Sequence, residues 1–122
     1  MGNGENQTRP HYRLDAWKEA MALVKMVYTV TQSFPKDELY GLTNQMRRAA
    51  VSVPSNIAEG AARNSKKEFV QFLSIARGSL SELETQLLIS ADLGYLDGKH
   101  DVFAKADRVS RLMTGLQKHN EQ

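Results

Sequence analysis

The sequence of 122 residues contains no cysteine, and only three prolines and three histidines. The absence of cysteine excludes disulfide bonds, thiol catalysis and thiolate metal sites, and it suits a reducing cytoplasm, where we expect the protein to work. No apolar run approaches the roughly 18 residues that a membrane-spanning helix needs, so no membrane partner is expected. The first residues contain no apolar stretch either, so we expect no signal peptide.

The formal net charge is only +2, but charge is unevenly distributed along the chain. From Arg47 to Arg77 there are six basic and two acidic residues, a balance of +4. From Gly78 to Asp101 there are five acidic residues and one basic residue, a balance of −4. The basic segment permits binding to nucleic-acid phosphates, although the total charge alone gives no argument for it.

Four segments show the 3–4 spacing of apolar residues that is typical of amphipathic helices. They run from about 14 to 33, from about 38 to 59, from 65 to about 93 and from about 99 to 117. Short connections between long helices favour antiparallel neighbours. The sequence therefore predicts an all-α fold, an antiparallel up-down-up-down four-helix bundle over residues 13–117, with flexible tails at 1–12 and 118–122.

The first helix carries more apolar residues than one core requires. The 3–4 spacing assigns its core seam to Leu14, Trp17, Met21, Val24, Tyr28 and Thr31. A second apolar set lies outside that seam: Ala16, Ala20, Leu23, Met26, Val27 and Val30. Because a helix in a monomeric bundle needs an apolar stripe of only about 100°, the surplus indicates a second burial surface such as a subunit interface. The alternative is a helix set deeply in a small core.

Proline, glycine and serine predict where the helices bend, approach each other and begin. Pro54 lies inside the second helix, where a proline removes one backbone hydrogen bond, and we expect a kink there rather than a division into two helices. Gly60 is predicted to cap the end of this helix. Gly78, in the middle of the third helix, is predicted to allow a neighbouring helix to approach closely. Ser65 and Glu68 form a capping box that starts the third helix.

No group of residues matches a catalytic or metal-binding constellation. None of the histidines (His11, His100 and His119) follows the Glu-x-x-His spacing of carboxylate-bridged metal sites. The sequence has no nucleophile-elbow motif, no P-loop and no dinucleotide fingerprint. Glu82 and Glu84 point to different faces of one helix. We therefore expect a protein that is not an enzyme and that has no cofactor or metal.

Six basic residues are the candidate nucleic-acid-binding residues: Arg47, Arg48, Arg63, Lys66, Lys67 and Arg77. If the second and third helices pack antiparallel, Arg48 lies about level with Arg77. Arg47, Arg48 and Arg77 could then share one basic patch. The alternative is that these arginines are solvated, or that Arg47 and Arg48 pair with Glu82 or Glu84, in exposed ion pairs that stabilise little.

The second basic cluster surrounds the start of the third helix. Lys66 and Lys67 occupy its first turn, where the helix dipole disfavours cations by about 0.3–1 kcal/mol. A bound phosphate would reverse this preference, because backbone N–H groups and ammonium groups would converge on it. The alternative is a solvated loop, in which Arg63 simply follows a helix C-terminus. No aromatic residues are interleaved with these cations, so binding would address backbone phosphates and not base identity.

Two stretches of the sequence carry a family resemblance. Arg47–Gly60 reads RRAAVSVPSNIAEG, and Phe69–Leu87 contains the triplet Arg77-Gly78-Ser79 among regularly spaced apolar residues. Here the chain resembles the bacterial four-helix-bundle proteins encoded by intervening sequences of 23S ribosomal RNA genes, which are related to the accessory variability proteins of diversity-generating retroelements. The resemblance covers about residues 14–116.

The resemblance implies a four-helix bundle that assembles as a ring-like homopentamer. The retroelement relatives act with a reverse transcriptase and are thought to bind nucleic acid through basic surfaces. Arg47, Arg48 and Arg77 occupy motif positions, and the family provides no catalytic residue to carry over. We therefore expect a non-enzymatic, homo-oligomeric accessory protein that binds RNA or DNA backbone phosphates. The alternative is a protein-interaction scaffold that binds a partner protein and has no nucleic-acid role.

Overall fold

Four long helices make up most of the chain. The computed structural model describes residues 9–121, and within that range it contains helices and turns but no β-strand, which confirms the all-helical prediction. No helix in this range is both long enough and apolar enough to cross a bilayer. In chain order the long helices are α1 (Asp15–Thr31), α2 (Asn44–Ala61), α3 (Lys66–Asp92) and α4 (Asp101–Glu121).

The four helices enclose one hydrophobic core. α1 packs against α2 and α4, and α3 packs against the same two helices. Contacts between α2 and α3 pair residues in reverse order along the chain. Ser90 Oγ lies 3.4 Å from Met46 Sδ, whereas the hydroxyls of Ser52 and Ser79 share a hydrogen bond at 2.8 Å. These contacts fix which side chains of the two helices lie level with each other.

The buried side chains of α2, α3 and α4 follow the predicted apolar spacing. Because an exposed helix needs only one apolar stripe, a single periodic set of residues identified the buried side correctly in each of these helices. The confirmed core positions are Met46, Ala49, Val53, Ile57, Ala76, Leu80, Leu83, Leu87, Val102, Ala106, Val109 and Met113. Leu39, which the sequence also assigns to the stripe of the second helix, is 48% exposed, because it lies in a π-helical segment that precedes α2.

In α1 the predicted core seam is wrong. Met21 and Tyr28 are 43% and 40% exposed, Trp17 and Val24 are half-buried, and Thr31 is buried. α1 is apolar on two neighbouring faces, so the spacing did not distinguish the face that packs inward. A second apolar face exists, and its exposed residues, Met21 and Tyr28, belong to the seam that was predicted for the core. The residues buried instead are Ala16, Ala20, Leu23, Val27 and Val30.

α2 begins later than the sequence predicts. A 3₁₀ turn (Lys36–Glu38) and a π-helical segment (Leu39–Thr43) precede it, and Gly41 in that segment has non-helical dihedral angles, φ −115° and ψ −111°. From Asn44 onward α2 runs as one helix through Pro54. The chain therefore does not divide into two helices at the proline.

Gly60, and not Gly78, is the glycine that permits close helix approach. The sequence predicts a cap at Gly60, but this residue is buried inside α2, which ends after it. A Cβ added at Gly60 would lie 2.7 Å from Phe72 Cβ, so α3 approaches only because no side chain is there. A Cβ at Gly78 would meet no atom within 4 Å, so the predicted close approach at that position is wrong.

The capping box predicted at the start of α3 is present in a modified form. Ser65 Oγ accepts a hydrogen bond from the backbone N–H of Glu68 at 3.1 Å. The Ser65 hydroxyl donates to Glu68 Oε1 at 3.3 Å, so the carboxylate closes on the hydroxyl and not on the backbone N–H of Ser65. This cap fixes where α3 begins and places Lys66 and Lys67 in its first turn.

α4 extends to Glu121, so residues 118–121 are helical although the sequence assigns them to a tail. Near its start, His100 Nδ1 accepts a hydrogen bond from the backbone N–H of Val102 at 2.9 Å. This histidine therefore has a structural partner at the helix start.

Part of the predicted N-terminal tail packs against the bundle. Pro10–Arg13 forms a 3₁₀ turn that contacts α1 and α2. The rings of His11 and Tyr12 lie 4.9 Å and 5.3 Å from the ring of Trp17. Partial burial, together with the charge of Arg9, lowers the pKa of His11. The remainder of the predicted tails, residues 1–8 and 122, lies outside the described residues.

Candidate functional site

A groove of exposed apolar side chains runs between α1 and α2. It consists of two adjoining depressions of about 330 Å³ and about 550 Å³ that share Val51, which is 40% exposed. The apolar part lies toward Trp17, and the part around Tyr28 also contains two arginines. This surface, the α1–α2 groove, is formed by Trp17, Met21, Val24, Tyr28, Arg47, Arg48, Val51 and Pro54.

Arg47 is held within the chain on the α1 side of this groove. Its guanidinium carbon lies 4.6 Å from the centre of the Tyr28 ring. Its Nε donates a hydrogen bond at 2.9 Å to Oγ1 of the buried Thr31. Both contacts tie α2 to α1 and hold the Arg47 side chain against α1.

Arg48 is exposed and lies where the α1–α2 groove meets the surface between α2 and α3. Glu82 lines the same depression on the α3 side, but no ion pair joins the two side chains. The ion pair of Arg48 with Glu82 or Glu84, which the sequence left open as an alternative, is therefore not formed within residues 9–121. This guanidinium is available to an outside partner.

Arg77 does not join Arg47 in one patch. Its Nη1 donates a hydrogen bond at 2.7 Å to Gln117 Oε1 on α4, whereas Arg47 contacts α1. The predicted alignment of Arg48 with Arg77 is also displaced. Ser52, one turn beyond Arg48, already contacts Ser79. Arg48 therefore lies level with a part of α3 that is nearer to Glu82 than to Arg77, and Glu82 lines the same depression as Arg48.

Arg63 is also engaged by neighbouring side chains. Its guanidinium pairs with Glu59 at 2.8 Å and lies 4.8 Å from the centre of the Phe72 ring. Both side chains of the ion pair are largely exposed, so the pair contributes little stability. It nevertheless offsets the positive charge of Arg63 locally.

Lys66 and Lys67 are exposed in the first turn of α3, as the sequence predicts. Among residues 9–121, neither ammonium group has a hydrogen-bond or ion-pair partner. Together with Arg48, they are the members of the predicted set whose charged groups make no hydrogen bond, ion pair or ring contact with residues 9–121. Lys66 and Lys67 lie at the end of the bundle where α2 connects to α3. Arg48 lies near the start of α2, away from that end.

Two lysines that sequence reasoning did not single out flank Met21, one of the residues of the α1–α2 groove. Lys18 and Lys25 are exposed and seven residues apart on α1, and Met21 lies between them. Residues three or four apart on a helix are neighbours, so both lysines lie beside Met21. Their spacing is visible in the sequence. It places both lysines beside an exposed apolar side chain only once Met21 is known to be exposed.

Ion pairs on the side of α1 opposite the groove connect it to α4. Glu19 Oε1 accepts hydrogen bonds from Lys105 Nζ at 2.8 Å and from Arg108 Nε at 3.2 Å. The hydrogen bond from Lys105 is the main cause that lowers the pKa of Glu19. This carboxylate is occupied by structural partners.

The environment of Glu84 raises the pKa of its carboxyl group. Glu84 lies between α3 and α4, where partial burial and the nearby charge of Asp107 raise this pKa. Asp107 itself pairs with Arg111. General acid–base chemistry needs a second group placed near the reacting atoms, and the structure gives Glu84 no hydrogen-bonded partner of that kind. Within the described range, no three His, Cys, Asp or Glu side chains are grouped to hold a metal ion.

The fold and its surfaces define a small all-helical protein with an apolar groove between α1 and α2 that also contains arginines. The chain belongs to the family of 23S rRNA-intervening sequence proteins, whose family model matches residues 12–115 and reaches into all four helices. The resemblance predicted from the sequence is thereby confirmed. No curated protein matches the chain.

Proposed function

We propose that this protein is a non-enzymatic, homo-oligomeric accessory protein whose assembled form binds RNA or DNA backbone phosphates. One observation carries the proposal: the α1–α2 groove leaves Met21, Tyr28 and Val51 exposed side by side in the single chain. A continuous exposed apolar surface rimmed by polar groups is typical of an interaction site. Burying it between copies would stabilise an assembly in proportion to the apolar area removed from water.

The proposed protomer is an antiparallel up-down-up-down bundle with a kink in α2. The reversed order of the contacts between α2 and α3 supports this topology. So does the contact of Thr31, at the end of α1, with Arg47, near the start of α2. Pro54 supports the kink, because it cannot donate the backbone hydrogen bond that a helix requires at that position. A ring of five copies in the cytoplasm is the assembly and location that we propose on the family resemblance.

Nucleic-acid contact is assigned to two cations that have no partner within residues 9–121. Lys66 and Lys67 lie outside the α1–α2 groove that self-assembly would cover, and they are exposed beside the backbone N–H groups of the first turn of α3. Each copy in an oligomer would repeat these cations, so weak phosphate contacts would add along one nucleic-acid strand. Binding of this kind releases condensed counterions and weakens steeply as salt increases.

The test is a titration of a structured RNA against the protein at low and at moderate salt, with bound fraction as the readout. We expect binding at low salt that weakens at least tenfold at moderate salt. Lys66→Glu/Lys67→Glu should weaken binding further. Lys36→Glu/Lys99→Glu makes the same charge change at exposed positions on the opposite end of the bundle and should have a smaller effect. Absence of binding at low salt would refute the nucleic-acid role.

A protein-interaction scaffold without a nucleic-acid role is the second candidate. It is favoured by the ion pair that offsets the charge of Arg63, and by the internal hydrogen bonds that restrict the guanidinium groups of Arg47 and Arg77. The same titration separates the two functions. A scaffold would remain oligomeric and would bind no RNA at low salt, whereas the leading proposal requires both properties.

A further inference from the structure

α3 carries a second surface with exposed apolar residues, which meets the α1–α2 groove at the depression lined by Arg48 and Glu82. Ile75, Ile89 and Leu93 are 52%, 44% and 54% exposed. Ile75, Glu82 and Ile89 are spaced by seven residues, so they lie nearly along one line of the helix surface. Together with Leu93 they form a surface that we call the α3 ridge, which consists of Ile75, Glu82, Ile89 and Leu93. An exposed line of large apolar side chains on a helix that already packs on its opposite side indicates a second contact surface.

The groove and the ridge carry opposite charge. Arg48 lines the α1–α2 groove, Lys18 and Lys25 are helical neighbours of its Met21, and no acidic residue is among the groove-lining residues. The ridge contains Glu82, Asp92 lies next to its end, and the sequence has no lysine or arginine from Gly78 to Gly98. Within residues 9–121 none of these five charged side chains forms an ion pair. Both surfaces therefore present unpaired charge beside exposed apolar groups.

Charge decides which surfaces can meet. Two grooves placed against each other would bring lysines and arginines together, and two ridges would bring carboxylates together. Like charges facing each other cost several kcal/mol across an interface, whereas a groove facing a ridge brings opposite charges together. The two surfaces of one chain cannot cover each other, because both lie on the outside of the same bundle, on α1 and α2 in one case and on α3 in the other.

We propose that the α1–α2 groove of one copy binds the α3 ridge of the next copy, so that subunits join head to tail through two different surfaces. The occupant of the groove is thus a second copy of this chain. The inference rests on the self-assembly in the proposed function and names the surfaces that produce it. A head-to-tail contact of this kind generates a closed ring when the rotation between copies closes, and a filament when it does not.

A mixing experiment tests the pairing. Met21→Asp places a carboxylate in the groove, and Ile89→Lys places an ammonium group on the ridge, each opposite like charge. We expect each variant alone to sediment as a monomer, because every contact needs one intact groove and one intact ridge. An equimolar mixture should associate into species of at least two chains, because the intact ridge of the first variant fits the intact groove of the second, and the altered groove and altered ridge carry opposite charges that allow further growth.

Two control variants make the same charge changes elsewhere on the same helices. Thr29→Asp lies at an exposed position of α1 that does not line the groove, and Leu88→Lys is next to Ile89 but turned by about 100° around α3. Both should keep the oligomeric mass of the wild type. Circular dichroism checks folding, and if Met21→Asp or Ile89→Lys unfolds, Lys25→Glu and Glu82→Lys replace them in the same scheme.

The outcomes separate this proposal from the proposed function. A mixture that stays monomeric, or a groove or ridge variant that keeps the wild-type mass, overturns the head-to-tail pairing while self-assembly stands. If groove variants dissociate and ridge variants do not, the contact is groove to groove and the proposal is wrong. A wild-type protein that is itself monomeric removes the self-assembly and the pairing together.

Discussion

The guanidinium of Arg47 lies 4.6 Å from the centre of the Tyr28 ring while its Nε donates a hydrogen bond to the buried Thr31. These contacts join α2 to α1, so we expect Arg47→Ala to lower the free energy of unfolding by about 1–2 kcal/mol. Arg48→Ala is the matched control, since this side chain has no such contacts and its loss should change stability by less than about 0.5 kcal/mol. Urea unfolding of both variants measures the difference, and equal effects would contradict the structural role of Arg47.

The second prediction concerns two glycines whose surroundings differ. Gly60→Ala would place a Cβ 2.7 Å from Phe72 Cβ and 2.9 Å from Phe69 Cδ1, so it should lower the free energy of unfolding by about 1–3 kcal/mol through overpacking. Gly78→Ala meets no atom within 4 Å and should raise it by about 0.5–1 kcal/mol, since alanine restricts the unfolded chain and favours helix. Thermal or urea unfolding tests the pair, and effects of the same sign would contradict the packing described.

The cap of α3 gives a third prediction. Ser65→Ala removes the oxygen that accepts from the backbone N–H of Glu68, and we expect a loss of about 1 kcal/mol in the free energy of unfolding. Ser81→Ala, in the exposed middle of α3, removes a hydroxyl without a capping role and should cause no loss. If the two alanine variants unfold at the same urea concentration, Ser65 does not stabilise the start of the helix.

Glu84 makes stability depend on pH in a defined direction. Its pKa is raised in the folded protein, first by burial and then by the charge of Asp107. A raised carboxyl pKa contributes stability below the ordinary pKa of the group, and this contribution is lost as the pH rises through the raised value. Glu84→Gln should therefore melt at a higher temperature than the wild type at neutral pH. The difference should vanish in acid below the ordinary carboxyl pKa, and a difference independent of pH would show another cause.

Local signals in the sequence predicted much of the fold. The Ser65–Glu68 pair marked the start of α3, and single apolar stripes identified the buried sides of α2, α3 and α4. The face of α1 was not predictable in this way. Its two apolar faces have the same spacing, and only contacts with the other helices decide which of them enters the core.

The candidate site depended on register between helices, which the sequence does not specify. A difference of one or two helical turns separates the predicted alignment of Arg48 with Arg77 from the observed position of Arg48 near Glu82. The same limit applies to Gly60 and Gly78. Both are glycines in a helical pattern, and only the packing of α2 on α3 distinguishes the close contact at Gly60 from the open surface at Gly78.

The molar mass of the wild-type protein, measured by light scattering across micromolar concentrations beside Val51→Asp, tests self-assembly through the α1–α2 groove most directly. Val51 is 40% exposed in the middle of the groove, so the variant should fold as a single chain. We predict a wild-type mass that is a multiple of the monomer and a Val51→Asp mass equal to one chain, with unchanged circular dichroism. A wild type that remains monomeric at every concentration, or a Val51→Asp variant with the same oligomeric mass as the wild type, would contradict it.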